Sequence, residues 1–171
     1  MPKQVRHDNQ YMFNHAPKDY KCPVCLGIKK IDSVDTLIRP SDIIYQDNLV
    51  TVLINSFFIS NNAGHVIIVP NEHIENIFDL PDNLAEHITK LSKKVTIALK
   101  EVYKCEGVTL LQNNEPAGDQ HAFHYHLHVI PRYDKDNLSQ NLTNKKATTP
   151  EERLPYAEKL KKYLDAETSL V

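Results

Sequence analysis

The chain has almost no net charge, formally −2 from 20 basic and 22 acidic side chains over 171 residues, and that lack excludes one large class of partner. Proteins that bind polymeric DNA or RNA carry a basic face or stripe, which is missing here, although a small anionic ligand needs only local positive potential. Long apolar runs are missing too. The opening MPKQVRHDNQYMFNH has no apolar centre of the signal-peptide kind, and no later stretch approaches the roughly 18 apolar residues of a membrane span. These absences predict a soluble, cytoplasmic protein without membrane or nucleic-acid-polymer partners. Cysteine is scarce, and the three present cannot all pair with one another; under reducing conditions structural disulfides are disfavoured in any case. Internal repeats and low-complexity tracts are also lacking. What remains, 41% hydrophobic and 25% charged residues, suits a single domain with a real core.

Residues 1–19 lack periodicity and read as an N-terminal arm. Ile43-Ile44-Tyr45, the turn-forming Asp47-Asn48 and Leu49 to Ile54 predict a β-hairpin with a largely buried second strand. Ser56 to Asn62 reads as a loop, and Gly64 to Val69 as a strand stopped by Pro70, which together make an antiparallel meander. After a short helical turn around Ile74 to Phe78, Asp82 is a credible cap. Leu84, Ile88, Leu91, Val95, Leu99 and Val102 then recur at helical steps and predict one long amphipathic helix to Tyr103 or Lys104, its apolar stripe against the sheet. Val108 to Gln112 is a further strand, Asn113 to Asp119 a polar loop, and a histidine-rich strand runs to Ile130-Pro131. Strands, helix, strands describe an α+β fold. The domain so delimited spans 20–133. Residues 134–171 form a polar C-terminal extension in which Leu154, Ala157, Leu160 and Leu164 predict a helix, with Pro155 in its first turn.

Two features carry chemistry. Cys22-Pro23-Val24-Cys25 has the spacing of a metal knuckle, a redox pair or two inert thiols; the redox reading expects a preceding strand, and the polar HAPKDYK before it favours the metal. Cys105 reads as a small buried residue. Four histidines crowd residues 121–128, and His124, His126 and His128 alternate with apolar residues. On an extended strand these three share one face, while Tyr125, Leu127 and Val129 share the other. Isolated histidines are usually structural or exposed, which suits His65, His7, His15 and His87. A row of three is harder to explain that way, because neighbouring cations repel. A single metal would have to draw together side chains spread over about 13 Å of strand. The other reading is nucleophilic: a neutral imidazole attacks phosphorus through Nε2 when Nδ1 is held as a donor. On that reading the central His126 attacks, His124 and His128 flank it, and the preceding loop offers backbone amides with Asn113, Gln120 and His121 to phosphate oxygens or a leaving group. Structural, metal and nucleophilic readings all stand at this point.

The run HYHLHVI, followed by Pro131-Arg132, resembles the signature of the histidine triad family, and similarity extends upstream through NNEPAGDQ and GHVIIVPNEH to about residue 20. The resemblance implies a five-stranded antiparallel sheet packed by the long helix, a homodimer, and action on nucleotides. Family enzymes cleave phosphoramidates or dinucleoside polyphosphates, or transfer nucleotidyl groups, through a nucleotidyl-histidine intermediate. It would make His126 the nucleophile, with His124 orienting it and His128 contacting phosphate. Asn55 would meet the ribose hydroxyls, Leu53 the base, and Asn113 and Gln120 the scissile region. Two departures stand out: Asp119 interrupts an Ala-Gly-Gln loop, and His121 occupies a position often held by serine or threonine. They motivate an alternative, a nucleotide-binding or scaffold member with weak catalysis. Zinc-containing microbial branches further imply a structural zinc on Cys22, Cys25, His73 and His124.

Overall fold

The computed structural model describes residues 13–168; residues 1–12, with His7 and most of the arm, and 169–171 lie outside the described residues. Five strands form one antiparallel sheet in the order β1 (Ile43–Gln46), β2 (Val50–Ile54), β4 (Val66–Pro70), β6 (Leu127–Arg132), β5 (Gly107–Gln112). The apolar runs VTVLI and VIIVP are buried at every position, which suits strands covered on both faces and places them inside the sheet. The first hairpin is closed by Asp47, whose Oδ1 accepts from the amides of Leu49 and Val50 at 2.8 Å each. That turn takes Leu49 and leaves β2 to begin at Val50.

One face of the sheet is covered by α2 (Asp82–Tyr103), which buries Leu84, Ile88, Leu91, Val95, Ala98 and Leu99. They pack on Val52, Ile54, Val66, Ile68, Tyr125 and Val129. The cap falls on Pro81, and Asp82 occupies the first turn instead, where its charge faces the positive end of the helix. On the opposite face Leu53, Ile67 and Val69 meet Val24, Ile28, Ile38 and Cys22. These come from α1 (Pro23–Ile28) and its flanks; Cys22 caps that helix by accepting the Cys25 amide at 3.3 Å. Six residues are too few to carry a periodic signal in the sequence. Residues 13–16 of the arm dock on the same domain: the Phe13 and Phe78 rings lie 4.7 Å apart, and the Glu75 carboxylate accepts from the amides of His15 and Ala16.

Two departures from the sequence reading concern the C-terminal segment. β3 (Phe57–Ile59), inside the expected Ser56–Asn62 loop, pairs antiparallel with β7 (Lys145–Ala147). Three-residue strands show no measurable alternation, and the partner is remote in sequence. The helix α4 runs from Pro150 to Thr168, so Pro150 holds the first turn and Pro155 lies beyond it; Pro155 and Glu151, whose carbonyl it cannot pair, are both exposed. Between β6 and β7 lies the short α3 (Leu138–Asn141).

The inward side of α4 also differs from the expected stripe. Ala157 and Leu160 join the main core, but Leu154 is 39% exposed while Arg153 is 0% exposed. The Arg153 guanidinium holds the buried Asp42 carboxylate through Nε at 2.7 Å and Nη2 at 3.0 Å, and donates to the carbonyls of Leu37, at 2.8 Å, and Thr148. An Arg153→Met change keeps the volume but strands the Asp42 charge, and is expected to lower unfolding free energy by about 3–5 kcal/mol. Urea denaturation checks this; a loss below about 1 kcal/mol, the scale of an exposed pair, would show the clamp to be dispensable. No helix among the described residues is long and apolar enough to cross a membrane.

Candidate functional site

The histidine row bends before it becomes a strand: β6 starts at Leu127, and His124 lies in a bend. The His124 ring therefore faces the cysteines. Its Nδ1 is 3.4 Å from Sγ of both Cys22 and Cys25, and Cys25 Sγ is 3.4 Å from His73 Nδ1. All four ligand atoms lie within 4.8 Å of one another. An ion with tetrahedral bonds of about 2.3 Å to sulfur and about 2.0–2.1 Å to nitrogen separates those atoms by roughly 3.5 Å, which matches the three sulfur–nitrogen contacts of 3.4 Å. The tautomer matches as well. His124 Nε2 lies 2.9 Å from the Pro70 carbonyl, which can only accept, so Nε2 carries the proton and Nδ1 turns its lone pair to the cluster. The Cys22 thiol is held well below its ordinary pKa, chiefly by a hydrogen bond from Cys25, whose own thiol is pushed up by giving it. Two sulfurs and two imidazole nitrogens complete a tetrahedral set with no open position, so a bound metal would be structural.

Beside this cluster a cleft of about 830 Å³ is floored by His126 and His128 and walled by Asn55, Asn113, His121 and Asp119. His126 Nδ1 lies 2.7 Å from the His124 carbonyl. A carbonyl only accepts, so Nδ1 is the protonated nitrogen and Nε2 keeps its lone pair. Burial pushes the His126 pKa below the ordinary imidazole value and that of His128 well below it, so both rings are neutral at pH 7. The two rings meet edge to face with centroids 4.8 Å apart. The opposite face of the strand bears Tyr125, Leu127 and Val129 against the α2 core, as the alternation predicts.

The row has a fourth member that the sequence reading assigned a plain structural role. His65 lines the cleft with its ring 5.4 Å from that of His128, and burial lowers its pKa to about 3. Neither of its nitrogens, nor Nδ1 of His128, has a hydrogen-bond partner among the described residues. Register could have located it: Ile67 pairs with His128, and His65 lies two residues earlier on the same face. Gly64 before it has φ +75°, and the Tyr156 ring occupies the space a Cβ would need, at 2.2 Å. Other expected site residues are placed unequally. Asn55 reaches the cleft, with Oδ1 accepting from the Phe57 amide at 2.9 Å. Asn113 also lines it, but its amide donates to the Gly118 carbonyl at 2.6 Å. Gln120 is buried away from it, donating to the Glu75 carbonyl at 2.6 Å and accepting from the Glu115 amide at 2.8 Å. Leu53 is fully buried beneath the floor. Asp119 has φ 64°, a left-handed conformation that glycine would adopt without strain.

Comparison with known proteins places this geometry. The HIT domain family matches residues 37–135. Protein hit of Bacillus subtilis is 33% identical over 96 residues, 56% of this chain and 65% of its own length, so the chain spans just under two thirds of that relative. An uncharacterized HIT-like protein of Borreliella burgdorferi is 31% identical over 128 residues, 74% of this chain and 86% of its own. The purine nucleoside phosphoramidase of Escherichia coli is 36% identical over 96 residues, 53% of this chain and 76% of its own. Among solved structures, a zinc-bound histidine triad protein of Mycobacterium smegmatis superposes with a TM-score of 0.70 at 21% identity, covering 88% of this chain and 98% of that one. A diadenosine triphosphate hydrolase of Plasmodium falciparum superposes at 0.64 with 15% identity, covering 75% of this chain and 80% of that one. These likenesses show the fold. With more than half of its length matched by the family and its histidine row in place, the chain belongs to the HIT domain family.

Proposed function

We propose that the protein is a nucleotide hydrolase or nucleotidyl transferase that attacks the α-phosphorus of a nucleoside phosphoramidate or dinucleoside polyphosphate. One observation carries the reading: the 2.7 Å bond from His126 Nδ1 to the His124 carbonyl, which presents a neutral Nε2 to the cleft. That nitrogen bonds to phosphorus as the leaving group departs with its electron pair, and water later displaces the imidazole. His128, on the cleft floor, supplies a polar contact to phosphate oxygens, and the buried His65 backs its ring with centroids 5.4 Å apart. Asn55 serves the ribose, Leu53 supports the base from beneath, Asn113 and His121 line the leaving-group side, and the buried Gln120 acts only through the backbone of Glu75 and Glu115. The phosphoramidase and triphosphate hydrolase activities named for two relatives support the class. Zinc on Cys22, Cys25, His73 and His124 would supply structural fixation of the turn that carries the His124 carbonyl.

The test is intact-mass spectrometry of protein quenched during turnover of an adenosine phosphoramidate or diadenosine polyphosphate. An adduct of one nucleotidyl group, mapped to His126, is expected; turnover with no adduct on any histidine would remove the mechanism. A second reading, nucleotide binding with weak catalysis, is favoured by Gln120, whose side chain is spent on tying Glu75 to Glu115. Mononucleotide binding without turnover of either substrate would select it. A homodimer belongs to the leading reading: β5 is an edge strand whose Leu110 is 50% exposed. A solution mass of twice 19.6 kDa is expected, and a monomer mass at working concentration would refute it.

A further inference from the structure

We propose that Lys145 is a polyphosphate-binding residue: it engages phosphate oxygens of the leaving group and biases the cleft toward dinucleoside polyphosphates over phosphoramidates. This rests on the reading of His126 as the attacking group. Among the described residues Lys145 is the one lysine or arginine that lines the cleft, which it shares with His65, His126 and His128. Its charge reaches all three, being among the causes that lower their pKa values. No carboxylate pairs with it among the described residues, whereas Lys146, next along the strand, is paired with Glu152 at 3.3 Å. Of the two acids on the cleft wall, Asp35 is engaged by Lys21 at 3.2 Å. An exposed ammonium without a counterion, beside a neutral nucleophile, is suited to an anion that arrives with the substrate.

The backbone that delivers this lysine is held from both sides. Lys145 pairs with Ile59, itself on the cleft wall, and Thr148 bonds the Ser56 carbonyl through its amide at 3.0 Å and its hydroxyl at 2.9 Å. The carbonyl of Thr148 is in turn held by the buried Arg153. The C-terminal segment thus adds to the cleft a cation carried on a fixed stretch of backbone.

Reaction chemistry sets the direction of the bias. In a polyphosphate the His126 Nε2–P bond forms as the bridging P–O bond breaks, and the departing oxygen keeps the electron pair, so negative charge grows on a group that already carries phosphate charge. An amine leaving group must instead be protonated and bears no phosphate. Lysine contact therefore stabilises the first departure more than the second. We would compare wild type, Lys145→Met and Lys145→Arg on diadenosine triphosphate and adenosine phosphoramidate. The methionine variant is expected to lose about 100-fold in kcat/KM on the triphosphate and about threefold on the phosphoramidate, with arginine recovering most of the first loss. Parallel losses on both substrates, or no loss on the triphosphate, would overturn the assignment while leaving the His126 adduct intact. Absence of adduct and turnover in wild type would instead fell the underlying reading, and this inference with it.

Discussion

Replacing His126 with alanine is expected to lower kcat by at least ~10⁴-fold on every substrate the protein turns over, because on the proposed mechanism it removes the atom that bonds to phosphorus. No neighbour can take its place. His128 and His65 are neutral and share the cleft, but the side chain whose Nδ1 is satisfied by a carbonyl, with Nε2 left free, is that of His126. The thermal midpoint is expected to stay within about 3 °C, the scale of roughly 1 kcal/mol for a chain of this size, since the lost ring borders the cleft and water can reach the freed carbonyl. Stopped assays and thermal unfolding on the same preparation separate the two effects. Residual activity within a hundredfold of wild type, with the fold intact, would assign the attack to another group.

How much of this site can be read without coordinates depends on the range of the interaction. The two faces of the histidine run follow from period two alone, and Tyr125, Leu127 and Val129 do meet the α2 core. The long helix is equally legible, because Leu84, Ile88, Leu91, Val95 and Leu99 recur at helical steps along a 22-residue helix. Alternation stops being a guide at His124, where the chain bends and the ring turns to Cys22, Cys25 and His73. Only resemblance to a family, not spacing, assembled that set. His65 and Lys145 escaped because their place depends on strand register and on a β3–β7 pairing between remote segments. Arg153 escaped for a different reason: apolar patterning assigns the inward position to Leu154, and a buried ion pair is invisible to it. The segment after residue 133 reads as an appendage by its polarity, yet it places Ala157 and Leu160 in the main core and Lys145 on the cleft.

Loss of the proposed zinc is the second large effect expected. The purified protein should carry about one zinc per chain, and Cys22→Ala should lose it. Structural zinc contributes about 10–16 kcal/mol in small peptides that have no other core. Here the α2 core stands independently, so a smaller share is expected, about 4 kcal/mol, or roughly a 10 °C fall in thermal midpoint. The loss follows from what the ligands are when no cation binds them: buried Cys22 and His124 with half-buried Cys25 crowd polar atoms at 3.4 Å, and the Cys25 thiol is left to donate to the Cys22 sulfur. Activity should fall by more than the unfolded fraction accounts for. The chain of contacts runs from the cluster to the His124 ring, held also by Pro70, and from the His124 backbone carbonyl to His126 Nδ1. A loosened His124 leaves that carbonyl misplaced and frees His126 to present the wrong nitrogen. Metal analysis, thiol titration and kcat measured on chelator-treated protein below its melting transition provide the check. Protein isolated without zinc, with both thiols titrating, unchanged melting and full activity would show that the four side chains converge without holding an ion.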